Sequence, residues 1–63
     1  MTVCDLWRAL PPGVEIEVYS SGIVIANDLP YYFNNDLLNL KIKYIKDIKR
    51  NKLLFEKVII EVY

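Results

Sequence analysis

Few side chains in this chain can do chemistry. It has one thiol, Cys4, and no histidine. A thiol near the start of a helix can have a lowered pKa and act as a nucleophile. Here there is no imidazole to take its proton, and Asp5 beside it opposes the thiolate. A packed, inert Cys4 is therefore expected. Glu15 and Glu17 are two residues apart, so a strand would put both carboxylates on one face. Acid–base work needs surroundings that split their pKa values, and no apolar group is arranged around one and not the other. A solvated polar face is the plainer reading. With two glycines, Gly13 and Gly22, there is no phosphate-cradling loop. One Cys and no His exclude a single-chain zinc site and an internal disulfide. The expectation is a non-enzymatic protein without metal, cofactor or small-molecule substrate.

The stronger lead is a cluster of charge. Lys41, Lys43, Lys46, Lys49, Arg50 and Lys52 fall within one short segment, with Tyr44 among them and Asp47 as its lone acid. On a strand, Lys41, Lys43 and Lys49 would line one side and track a phosphate backbone. Tyr44, or Tyr31 and Tyr32, would stack on unpaired bases. Lysines on an edge strand also block aggregation. The zero net charge of the whole chain favours that second role, or contact with a protein partner, over DNA or RNA binding. The charge is polarised. Residues 1–38 carry Arg8 against Asp5, Glu15, Glu17, Asp28 and Asp36, a balance of −4. Residues 39–63 carry those six cations and Lys57 against Asp47, Glu56 and Glu61, a balance of +4. Halves of opposite sign can attract across a subunit contact, or the basic half can meet an acidic partner.

The elements that must position these groups follow from spacing. Thr2 can accept a bond from the Asp5 N–H and start a helix over about 2–10. Val3, Leu6, Trp7 and Leu10 share its apolar face, and Pro11-Pro12-Gly13 ends it. Val14, Ile16 and Val18 alternate with Glu15, Glu17 and Tyr19, Ser20-Ser21-Gly22 signals a turn, and Ile23–Ala26 forms the return strand of a hairpin. Residues 28–38 read as a short helical segment plus a loop, with Asp28 as a cap, Pro30 near its start and Asn34-Asn35-Asp36 as a turn cluster. Residues 40–49 fit two patterns. As a strand, Leu40, Ile42, Tyr44 and Ile48 face one way, and Lys41, Lys43, Ile45, Asp47 and Lys49 the other, with Lys46 interrupting. As a helix, Leu38, Ile42, Ile45 and Ile48 align. The β-branched content favours strand, with a bulge near Ile45. Arg50-Asn51-Lys52 turns the chain, and Leu53–Tyr63 is the last strand, irregular near Glu56-Lys57.

Sixty-three residues make one domain, residues 1–63, of marginal stability. Its hydrophobic fraction of 54% is high for so small an object. The final run, Val58-Ile59-Ile60-Glu61-Val62-Tyr63, needs cover on both faces or a partner along its edge. Oligomerisation is the support left open to a chain without crosslink or metal. The expected interface residues are Val58, Ile60, Val62 and Tyr63, or the aromatic pair Tyr31 and Tyr32. No stretch approaches the ~20 apolar residues of a membrane span. No secretory signal is visible, so a cytoplasmic location is expected.

The order Thr2-Val3-x-Asp5-Leu6, Leu10-Pro11-x-Gly13-Val14-x-Ile16-x-Val18-Tyr19, then Leu29-Pro30-Tyr31-Tyr32 and Lys43-Tyr44-Ile45-Lys46, resembles short accessory proteins of phages and prophages of AT-rich Gram-positive bacteria. Some such proteins inhibit type II CRISPR nucleases. The resemblance implies a phage-type accessory protein that works by binding, for example as an anti-CRISPR-like inhibitor of a host defence nuclease. The expected fold is α+β: a short N-terminal helix on a roughly four-stranded antiparallel sheet, built as two hairpins joined by a short helical turn. The favoured function is non-catalytic occlusion of a host protein through an oligomeric surface. Nucleic-acid binding by the Lys41–Lys52 segment is the alternative, and a structural or regulatory role in a phage operon is a third.

Overall fold

The computed structural model describes residues 1–52 and 54–63. Helix α1 spans Val3–Ala9 and opens with a reciprocal cap. The Asp5 N–H donates to Thr2 Oγ1 at 3.2 Å, and the Thr2 N–H donates to Asp5 Oδ2 at 2.9 Å. Two of the helix's orphan donors are thereby satisfied. Seven residues cannot hold a helix in water alone, so α1 depends on its buried Val3 and Leu6. Trp7 and Leu10 pack beside them, as their spacing predicts.

Strands β1 (Glu15–Ser20) and β2 (Ile23–Asp28) form the expected hairpin. Ser21 and Gly22 both have positive φ, 52° and 78°. That is the backbone of a type I′ turn, whose twist matches the two strands. The connection holds two helical turns, a 3-10 turn at Pro30–Tyr32 and α2 at Asn35–Leu38. Asp28 does not cap the first. Its Oδ1 accepts from the neighbouring Leu29 N–H at 2.7 Å, and Leu29 stands at the cap. The Asn34-Asn35-Asp36 cluster begins α2, because Asn34 Oδ1 accepts from the Leu37 N–H at 2.8 Å. Strands β3 (Ile42–Asn51) and β4 (Leu54–Val62) complete the fold. Arg50 and Asn51 belong to β3, and Lys52, at φ 58°, takes the left-handed turn position. The expected start of the last strand at Leu53 lies outside the described residues.

The four strands form one sheet in the order β2-β1-β4-β3. It is mixed, not antiparallel throughout: β1 and β4 run parallel, Glu15 beside Lys57 through Ser20 beside Val62. The physical reason is apolar content. Ile16 and Val18 on β1, and Val58, Ile60 and Val62 on β4, need neighbours on both sides, so these two strands take the centre. The connection through α2 carries the chain from one edge and end of the sheet to the opposite edge and end, so β3 runs in the direction of β2 and β4 in the direction of β1, which makes the central pair parallel. Val14, Ile16, Val18, Val58, Ile60 and Val62 face α1 and form the core with Val3 and Leu6. At about 1.5–3 kcal/mol for each large side chain removed from water, this is the main stabilising term.

Strand β3 resolves the two patterns of residues 40–49. Its pairing with β4 slips by one residue at Lys43 and again at Lys46. Ile42, Ile45 and Ile48 therefore pair with Val62, Ile60 and Val58 on the core side, while Tyr44, Asp47 and Lys49 take the opposite side. The expected grouping of Tyr44 with Ile42 and Ile48, and of Ile45 with the lysines, is corrected. A bulge every third residue turns a period of two into a period of three, which reads as helix. A third slip, at Glu56, is the irregularity expected near Glu56-Lys57.

Candidate functional site

The side of the sheet opposite α1 is polar. Glu15, Glu17 and Tyr19 of β1 stand beside Lys57, Ile59 and Glu61 of β4, which stand beside Lys49, Asp47 and Tyr44 of β3. Charges here are spent on one another. Lys57 Nζ lies 3.4 Å from Glu17 Oε1 and 4.0 Å from Glu15 Oε1. Lys49 faces Lys57 across the strands but turns to Asp47, at 3.6 Å. Lys46, pushed out at its bulge, lies 3.8 Å from Glu61 Oε1 and 4.1 Å from the centre of the Tyr19 ring. Beneath it the Glu61 side chain is only 8% exposed. The Gly22 N–H reaches Glu61 Oε2 at 3.5 Å.

An open concavity of about 540 Å³ is lined by Glu15, Glu17, Lys49, Glu56, Lys57 and Ile59. The Tyr19 hydroxyl, and then Lys57, hold the Glu17 carboxyl below its ordinary value of 4.5. Burial, second only to the Tyr19 bond, pulls the other way. The same contact raises the Tyr19 hydroxyl above its ordinary value. A lowered carboxyl suits a permanent ion pair, not a proton carrier near neutrality. Among the described residues no group of three or more His, Cys, Asp or Glu is placed to hold a metal. Cys4 is half-buried on α1.

The structure disperses the basic segment. Lys46 is engaged with Glu61 and Tyr19, Lys49 with Asp47, and Arg50 with the Phe55 ring at 4.9 Å. Lys43 sits 5.9 Å from the centre of the Tyr63 ring. Lys41 precedes β3, opposite Thr2, and Lys52 is in the turn. Tyr44 is exposed, on the side that also carries Asp47 and Glu61. These groups make no continuous cationic track.

The expected interface residues divide in two. Val58, Ile60 and Val62 are buried in the chain's own core, at 1%, 0% and 3% exposure, and offer no surface to a partner. The last strand finds its neighbours, β1 and β3, within the chain. Tyr31, Tyr32 and Tyr63 are exposed, and the Tyr31 and Tyr32 rings meet edge-on at 5.3 Å.

Sequence reasoning passed over the outer edge of β2. Ile23, Val24 and Ile25 are 68%, 49% and 46% exposed. An uninterrupted apolar run usually marks a buried strand, and nothing in Ile23–Ala26 signals an edge. Among the described residues no backbone group pairs along its outer side. A second apolar strip, Ile45, Ile48 and Phe55, lies on the β3–β4 hairpin. Among the described residues no helix is long and apolar enough to cross a membrane. No protein-family model, no curated protein and no solved structure matches this chain, so these surfaces alone bear on its function.

Proposed function

We propose that this chain is a non-enzymatic binding protein that takes up an extended strand of another polypeptide along β2. The observation that carries this reading is an apolar sheet edge without a neighbour, from Ile23 to Ile25, in a chain whose other edge, β3, is bridged at Ile42 and bulged beyond it. A free edge offers a row of backbone donors and acceptors, and strand addition converts them into affinity. Tyr31 and Tyr32, just beyond the end of β2, extend the surface with side chains enriched at interfaces. The phage-accessory resemblance supplies the class of partner: a host protein, such as a defence nuclease, whose working surface is covered. Nucleic-acid binding has less support, because Lys46, Lys49 and Arg50 already have partners within the chain.

Capture from a bacterial lysate with wild type, Val24→Lys and Ile45→Lys side by side tests this. A partner recovered by wild type and Ile45→Lys but lost with Val24→Lys is the expected result. Equal recovery by all three would refute the edge as the site. A salt-sensitive shift of single-stranded DNA, abolished by Lys43→Glu with Lys49→Glu, would replace it with the nucleic-acid reading.

A further inference from the structure

We infer that a second copy of this chain occupies the β2 edge, giving a two-fold dimer with one continuous eight-stranded sheet. This rests on the strand-addition reading of β2 and names its first occupant. Consider β2 laid antiparallel on itself about the midpoint of Ile25 and Ala26. Ile23 then faces Asp28 of the copy, and Val24 faces Asn27. Within one chain, Asp28 pairs with Ile16 and Asn27 with Glu17, while Val24 pairs with Tyr19 and Ile23 with Ser20. Ile23 and Asp28 thus share the α1 side, and Val24 and Asn27 the polar side. The register keeps both faces in phase across the junction. Both helical layers then lie on the same side of the joined sheet, as a two-fold axis perpendicular to it requires.

Charge permits this contact at β2 and opposes it at β3. From Ile23 to Asn27, β2 carries no charged side chain. In the stated register the two Asp28 residues are five positions apart, about 17 Å at ~3.4 Å per residue. That is about twice the ~8 Å screening length at physiological salt. The acids of β1 next door, Glu15 and Glu17, are held by Lys57. A copy laid on β3 would instead bring the bulged Lys43 and Lys46 of the two chains onto one rim, over a backbone bent by two bulges. The antiparallel arrangement also brings the Tyr31–Tyr32 end of one chain beside the Ile23 end of the other. The most exposed apolar groups along this edge thereby meet one another. A six-residue strand contact is smaller than the ~800 Å² per partner of a standard stable interface, so the dimer is expected to dissociate on dilution.

Sedimentation equilibrium of the full chain, from micromolar to millimolar concentration, tests the dimer. The mass is expected to rise from 7.4 kDa to twice that value. Val24→Lys, and independently the more exposed Ile23→Lys, should weaken association at least tenfold while leaving the circular dichroism unchanged. Ile45→Lys should leave association intact. A mass that stays at 7.4 kDa throughout, or association lost with Ile45→Lys and kept with Val24→Lys, overturns the dimer. A synthetic peptide of residues 21–29 separates the two levels. If the chain stays monomeric but binds the peptide at β2, the second copy is wrong and strand addition stands. If it neither associates nor binds the peptide, both fall.

Discussion

The two edges of this sheet are built from similar residues and treated in opposite ways. Strand β3 is long and rich in isoleucine, and its outer side is covered only where it begins. The Ile42 N–H donates to the Met1 carbonyl at 2.9 Å, and Thr2 bridges Lys41. Beyond that point, bulges at Lys43 and Lys46 bend the strand and set lysines on its rim. Strand β2 has one bulge, no lysine or arginine, and three adjacent exposed aliphatic side chains. Bulges and lysines are how proteins blunt an edge against unwanted pairing. Their concentration on β3 fits the protective role expected of its lysines. Their scarcity on β2 fits the proposed strand addition there.

The largest expected effect comes from what the edges share. Ile60 is fully buried on a central strand. Ile60→Ala should cost about 2–5 kcal/mol. A chain of this length has only ~3–9 kcal/mol to lose. Urea denaturation should show a much lower midpoint with an unchanged slope, both edges melting together. Val24→Ala on the open edge should shift stability by no more than about 0.5 kcal/mol. A larger shift would mean that β2 serves the fold rather than a partner.

The bulged edge should respond at an intermediate scale. Lys46→Met removes a partner of the buried Glu61 and should cost about 1–3 kcal/mol, because the carboxylate keeps its desolvation without its counter-charge. Adding Glu61→Gln should recover part of that loss. If the double variant is no better than Lys46→Met, the lysine acts only through its packing on Tyr19.

The smallest effect is in pH dependence. The folded pKa values of Asp5 and Glu17 are lowered, Asp5 by its bonds to Thr2 and Glu17 by Tyr19 and Lys57. Their contributions are complete above the ordinary values of 3.8 and 4.5, and are lost as pH falls through the lowered folded values. Tyr19 is shifted the other way. Its contribution is complete below its ordinary 10.0 and lost as pH rises through the raised folded value. Tyr19→Phe should flatten the alkaline limb and shrink the acid limb, leaving the Asp5 share in place. An unchanged pH profile would show that the Tyr19–Glu17 contact is not made in solution.

Local structure was legible in the sequence where neighbours along the chain decide it. Thr2 and Asp5 announce their reciprocal cap, Ser21-Gly22 its tight turn, and the phase change near Glu56 its bulge. The parallel meeting of β1 and β4 was not legible, because hairpins fix only antiparallel neighbours and burial decides which strands join. The Ile42, Ile45 and Ile48 spacing kept a helix open beside the favoured strand, since two bulges imitate helical periodicity. The candidate site was harder still. The lysines were conspicuous, and Asp47 was in view on the face of Lys49, but Glu61 and Phe55, the partners of Lys46 and Arg50, lie on another strand. An apolar run such as Ile23–Ala26 looks the same at an edge as in a core.

Residue-resolved amide hydrogen exchange at rising protein concentration tests the contrast between the edges most directly. Outward-facing N–H groups of β2 should gain protection as concentration increases, while those of β3 stay as they are. Protection gained along β3, or on neither strand with or without a bound partner, would contradict the assignment of β2 as the open edge.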